Sequence, residues 1–170
     1  MIRPWLARHL LRFMVTLLIT ASVFNSTALA QLPIAFDRRC SVCHQASGSG
    51  IPGIYPPIAG TIGGYVKLPQ GRTFLIHLLL NGMNGPISSR GTTYDGFMPM
   101  AADFSDGDLA AAINYVLEKL NAQQLPANFR PLTVAEFKLA RSTPIGPRDV
   151  WKEREKLIAA LGKSGKASGQ

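Results

Sequence analysis

The chain has 170 residues, 46% of them hydrophobic, with 18 Lys+Arg against 10 Asp+Glu and a formal net charge of +8. Its basic residues form no dense cluster, which argues against nucleic-acid binding, and an excess of this size suits acidic partner surfaces or the anionic face of a membrane. No nucleophile–base arrangement, paired acid site or phosphate-binding loop points to an independent enzyme.

The N-terminus reads as an export signal. Met1 to Arg12 carries Arg3, Arg8 and Arg12 and no acid, Phe13 to Phe24 is a 12-residue apolar run, and Ala28-Leu29-Ala30 has the small-x-small form of a cleavage site. The run is well short of the ~20 residues that span a bilayer as a helix, so cleavage after Ala30 is expected over retention as an anchor. Cleavage leaves residues 31–170 with 15 basic and 10 acidic residues, a net charge of +5, and a length that suits one domain.

Ile34 to Cys43 has Phe36, Cys40 and Cys43 at helical spacing, which predicts a short helix with one face turned to a cofactor. At its end stands Cys40-Ser41-Val42-Cys43-His44, the C-x-x-C-H attachment signature of a c-type haem. Two thiols one turn apart can add across the two vinyl groups of the macrocycle, and the adjacent imidazole can become an axial ligand of the iron. A zinc site on the same cysteines would need two more ligands, and only His9 and His77 are left. A thioredoxin-like dithiol would ignore His44 and lacks a strand before its helix. With both cysteines joined to haem, no structural disulfide is possible.

Gln45 to Pro69 follows, with Pro52, Pro56, Pro57, Gly60, Gly63 and Gly64, and is expected to be irregular loop wrapped on the cofactor. Thr73 to Leu80 predicts a helix, apolar nearly all round apart from His77 and closed by Asn81-Gly82. A second glycine-rich loop runs from Gly82 to Asp103, and no segment of the chain reads as a convincing strand. Ser105-Asp106-Gly107-Asp108 opens a helix to about Asn121, with Leu109, Ile113, Val116, Leu117 and Leu120 as its apolar stripe. Thr133 to Arg141 predicts a shorter helix with Thr133 and Glu136 as a capping box. Pro147 to Leu161 predicts another, stopped by Gly162. The helix around Trp151, with Val150, Leu157, Ile158 and Leu161, favours packing on its own domain over docking to a partner. Lys163 to Gln170 is expected to be disordered.

The candidates for the sixth position on the iron are Met98, Met100, His77, Met83 or an open site. A thioether favours ferrous iron and suits an electron carrier. Met98 precedes Pro99, which can stiffen a ligand loop, but position alone leaves Met98 and Met100 level. His77, on an apolar helix, reads better as a buried, hydrogen-bonded histidine than as a ligand.

Four blocks in order resemble the class I, mitochondrial-type cytochrome c in its bacterial form: Cys40 to His44, Gly53 to Gly60 (GIYPPIAG), Leu79 to Ile87 (LLNGMNGPI) and Tyr94 to Pro99 (YDGFMP). Phe104 to Leu109, continuing to Val116, is similar to the C-terminal helix of that family, so the resemblance covers roughly residues 34 to 120. Phe129 to Arg141 resembles a tail found on cytochrome subunits of periplasmic dehydrogenases. The resemblance implies an all-α class I fold around one covalent haem c, with His44 and the methionine directly before the proline, Met98, as axial ligands and Met100 as second choice. Taken with the residue patterns above, the resemblance gives an expected layout of signal peptide at 1–30, monohaem domain at 31–125, helical extension at 126–162 and disordered tail at 163–170. It implies a periplasmic electron-transfer protein rather than an enzyme, with redox proteins as partners. The preferred role is the electron-accepting subunit of a dehydrogenase, and the alternative is a free carrier to an oxidase or reductase. Ligand sensing or peroxidatic chemistry would need an open sixth position, against which Met98 argues. The net positive charge also suits peripheral association with an anionic membrane surface.

Overall fold

The computed structural model describes residues 32–167, and the expected export signal at 1–30 lies outside them. Helix α1 spans residues 34–44 and changes register on the way. Its middle, Phe36–Cys40, is π-helical, closed by the Ser41 N–H donating to Phe36 O, and a single α turn, Ser41–His44, follows. Such wide turns occur mostly as local bulges and often at functional sites. Phe36 is fully buried, its ring centroid 4.8 Å from that of Tyr115 on a later helix.

The loop after α1 is held by its own backbone and by Asn121. The Asn121 side chain accepts from the N–H groups of Thr61, Ile62 and Gly63 and donates to Ile58 O and Val116 O. A 3₁₀ helix, Gly63–Lys67, ends this loop. Helix α2, Pro69–Asn81, begins a turn earlier than expected, because Pro69 supplies the fixed φ of a first helical position. Gly71 in that turn lies against the 3₁₀ helix so closely that a Cβ would stand 1.9 Å from Tyr65 O. Phe74, Leu75, Ile76, Leu79 and Leu80 of α2 are buried, as its nearly all-round apolar sequence predicts.

The segment expected to be plain loop contains two short antiparallel ribbons, one nested in the other. Strands β1 (Met83–Asn84) and β4 (Phe97–Met98) pair Met83 with Met98, and β2 (Ile87–Ser89) and β3 (Thr92–Tyr94) pair Ile87 with Tyr94. The inner turn is Arg90-Gly91, with φ of 49° and 76°, the left-handed pair that lets a two-residue hairpin follow strand twist. Strands of two or three residues are too short to show alternation, and Arg-Gly lacks the usual Asn-Gly signal, so the reading as loop missed them.

Helix α3, Asp106–Leu120, starts where its cap predicts: Ser105 Oγ accepts from the Asp108 N–H at 3.1 Å. Leu109, Ile113, Val116 and Leu117 are buried in the core. Helix α4, Val134–Arg141, has the full capping box between Thr133 and Glu136. Helix α5, Pro147–Ala167, starts at its proline but passes Gly162 instead of stopping there. A single glycine inside an otherwise good helix lowers its stability without ending it. The first residues of the expected tail are therefore helical, and residues 168–170 lie outside the described ones.

Helix α5 packs on its own domain. Val150 and Leu157 are fully buried, Trp151 Nε1 donates to Pro86 O at 2.7 Å, and Glu153 meets His77 Nδ1 at 3.0 Å. Gly85 is the residue that admits the indole, since a Cβ there would stand 2.6 Å from the Trp151 ring. Residues 32–167 thus share one core, bounded by α2, α3, the ribbons and α5. The architecture is helical with little strand, compatible with the class I fold.

Candidate functional site

The site is assembled at the C-terminal end of α1. Cys40 and Cys43 stand one turn apart, and the helix breaks after His44 because Gln45 adopts φ of 63°. Burial pushes the Cys40 thiol up to about 11, with nearby Arg39 opposing and Cys43 adding to the shift. A thiol so placed is protonated at neutral pH.

His44 is 8% exposed, and its Nδ1 lies 2.8 Å from Pro56 O. A carbonyl can only accept, so Nδ1 carries the proton and Nε2 keeps a free lone pair. Burial lowers the basicity of this imidazole, while the bond to Pro56 works the other way. The result is the neutral, oriented form that a metal ligand requires. The Pro56 carbonyl is aimed by a tight loop in which Ile51 N donates to Tyr55 O and Gly50 N to His44 O. Gly50 is needed there: its φ is 67°, and a Cβ would stand 2.3 Å from Tyr55 O.

Beside His44 lie two adjoining cavities of about 410 and 90 Å³. Cys40, His44, Pro56, Leu79, Met83 and Met98 line both. The larger cavity adds Cys43 and the exposed side chains Ile54 and Phe97, and the smaller reaches the core at Phe74, Leu75, Ile113 and Val116. An apolar slot with two thiols at one edge, a neutral imidazole and thioethers in its walls matches what a flat, covalently held haem requires. Cys40, Cys43 and His44 are the residues that would hold it.

The other candidates separate cleanly. Met98, on β4, is half-buried and lines both cavities, whereas Met100, only two residues on, is 51% exposed and lines neither. His77 is turned to Glu153 on α5, away from both cavities, as the reading of a buried, hydrogen-bonded histidine predicts. Met83 is buried opposite Met98 in the ribbon and shares both cavities, a neighbourhood that needed the strand pairing to be visible. Sequence reasoning missed Asn121, whose role lies in backbone groups sixty residues away, and Arg154, a buried cation on the wall of the smaller cavity.

Comparison with known proteins agrees with this geometry. The profile of the family described as Cytochrome c matches residues 34–119. The chain is 35% identical over 136 residues to a cytochrome c-552 of Thermus thermophilus, covering 79% of this chain and 92% of that protein. It is 36% identical over 119 residues to a second Thermus thermophilus cytochrome c-552, covering 70% of this chain and 91% of the relative.

Proposed function

Since the chain belongs to the cytochrome c family, with a covalent haem c and single-haem electron transfer as its function, we propose that His44 and Met98 are the axial pair and that the protein works in the periplasm. When bound, the haem supplies the one-electron couple. The chain's own residues do the rest. Cys40 and Cys43 tether, His44 is oriented by Pro56 O, and the apolar walls exclude water so that the axial pair sets the potential. The observation carrying the methionine assignment is that Met98 lines both cavities while Met100 is exposed and lines neither. The export signal at 1–30, the haem domain at 31–125 and the extension after it belong to this proposal. Among the described residues no helix is long and apolar enough to cross a membrane.

Partner contact is assigned to the cysteine edge. Val42, Ile54, Phe97 and Met100 are exposed hydrophobic residues, and Ile54 and Phe97 line the larger cavity beside Cys43. A small apolar rim of this kind supports brief docking and fast turnover. We favour the free carrier over the dehydrogenase subunit, because the apolar face of α5 is already covered by its own domain at Val150 and Leu157. The resemblance of Phe129 to Arg141 to subunit tails supports the second reading. Gentle extraction from the native host followed by size-exclusion chromatography, with covalent haem followed by absorbance, decides between them. Elution as a red monomer supports the carrier, and co-elution with a larger catalytic chain supports the subunit. Absence of haem from every fraction refutes both.

A further inference from the structure

Arg154 is 6% exposed, yet it lines a cavity whose other walls are apolar or neutral. A guanidinium cannot shed its proton in a protein, so its burial has to be met by acceptors. It donates to Ser88 O at 3.1 Å and to Glu155 Oε1 at 3.0 Å, and Glu155 is itself half exposed. A guanidinium has five N–H donors, more than these two bonds use. Val150, Arg154 and Leu157 fall at i, i+4 and i+7 on one face of α5, so a cation occupies the middle of the stripe that the two fully buried apolar residues define. No other described residue lining the smaller cavity is charged, so a negatively charged ligand there would find its counter-charge in Arg154.

The haem supplies one. Its vinyl groups lie on two adjacent pyrroles, and its propionates lie on the other two. Joining the vinyl edge to Cys40 and Cys43 therefore turns the propionate edge to the opposite side of the slot. Cys43 lines only the larger cavity, and Arg154 lines only the smaller, together with Thr61, Tyr65 and Ser89. The other arginine at the slot, Arg39, is on the cysteine side and already bound to Asp103 at 2.7 Å. Arg154 is the only Lys or Arg lining the smaller cavity among the described residues. Its planar fork suits a carboxylate.

Resting on the haem reading of this slot, we propose that Arg154 is the counter-charge for the propionate edge, which makes the C-terminal helix part of the cofactor site. The positive charge favours the ferrous state, which carries one positive charge fewer at the iron. The test compares holoprotein of wild type, Arg154→Lys and Arg154→Gln by reduction potential, with the optical spectrum as control. The glutamine variant is expected to shift the ferrous-to-ferric balance about tenfold towards ferric at a given poise, about 59 mV for one electron, and the lysine variant to recover most of the shift. An intact haem spectrum with unmoved potential in the glutamine variant overturns the role of Arg154 and leaves the haem reading standing. A wild type without covalent haem overturns that reading itself. Should the glutamine variant fail to accumulate, nuclear magnetic resonance of the ferrous wild type decides. Nuclear Overhauser contacts from the Arg154 guanidinium protons to propionate methylenes support the proposal, and contacts confined to Ser88 and Glu155 overturn it.

Discussion

The carbonyl oxygen of Pro56 lies 2.8 Å from Nδ1 of His44, and that single contact fixes which nitrogen of the imidazole faces the cavity. The contact depends on Gly50, whose φ of 67° closes the loop that aims Pro56 and whose missing Cβ leaves room for Tyr55 O. Gly50→Ala places a methyl 2.3 Å from that oxygen at a positive φ, two independent penalties. The expected outcome is a loss of about 2 kcal/mol or more in stability, together with a lower yield of haem-loaded protein. Denaturant unfolding of the holoprotein and haem stain of total extracts measure the two effects. Full retention of both would show that the loop re-aims without Gly50.

Axial ligation gives a three-way comparison. Met98→Leu is expected to abolish the iron–sulfur charge-transfer band of the ferric protein and lower the potential, because a soft neutral ligand that favours ferrous iron is gone. Met100→Leu should leave band and potential intact, since Met100 is exposed and lines neither cavity. Met83→Leu, a nearly volume-conserving change in a buried wall, should cost under about 1.5 kcal/mol of stability and keep the band. Loss of the band in Met83→Leu with its retention in Met98→Leu would reassign the ligand across the ribbon.

What the sequence disclosed and what it hid follow from the range of the interactions. Cys40 to His44 carries its chemistry in adjacent positions, and the caps at Ser105 and Thr133 act within three residues, so motif and helix starts were readable locally. The stripe of α3 was readable because 3.6-residue periodicity is sampled over four turns. The ribbons were not, since two- and three-residue strands offer no period and their pairing joins Met83 to Met98 across an intervening hairpin. Exposure of Met100 against enclosure of Met98 likewise depends on that pairing. Arg154 has no local motif that singles it out, and only the packing of α5 on α2 and β1 puts it on a cavity wall.

Helix α5 should carry stability beyond its own hydrogen bonds. Leu157 is 1% exposed, in the same cluster as Leu79 and Leu80 of α2. Leu157→Ala is expected to cost about 2–5 kcal/mol, the range for emptying a buried leucine site. Ile158→Ala, one position on and partly exposed, should cost about 1 kcal/mol or less. Thermal unfolding of the two holoproteins checks the contrast. Equal small effects would mean that the extension is not part of the cooperative fold.

Acid sensitivity should report the contact that fastens α4 to α2. Burial by itself would raise the carboxyl of Glu136, but hydrogen bonds from the Thr133 N–H and hydroxyl and from Arg72 hold it below the usual carboxylate value. A group whose folded pKa is depressed contributes stability that is complete above its unfolded value, here 4.5, and that is lost as pH falls through the lower folded value. Wild type should therefore lose stability more steeply than Glu136→Gln as pH drops below 4.5, with the two curves closer to parallel above it. The carboxylate is partly exposed, so the difference should be modest and shrink as salt is added. Thr133→Ala should mimic part of it, because the same oxygen of Glu136 accepts from both the backbone N–H and the hydroxyl of that cap. Chemical denaturation at a series of pH values, at low and high salt, measures all three variants. Identical acid limbs in wild type and Glu136→Gln would remove Glu136 from the acid response and put the weight of the Arg72 contact on the carbonyls of Arg130 and Pro131, in the segment just before α4.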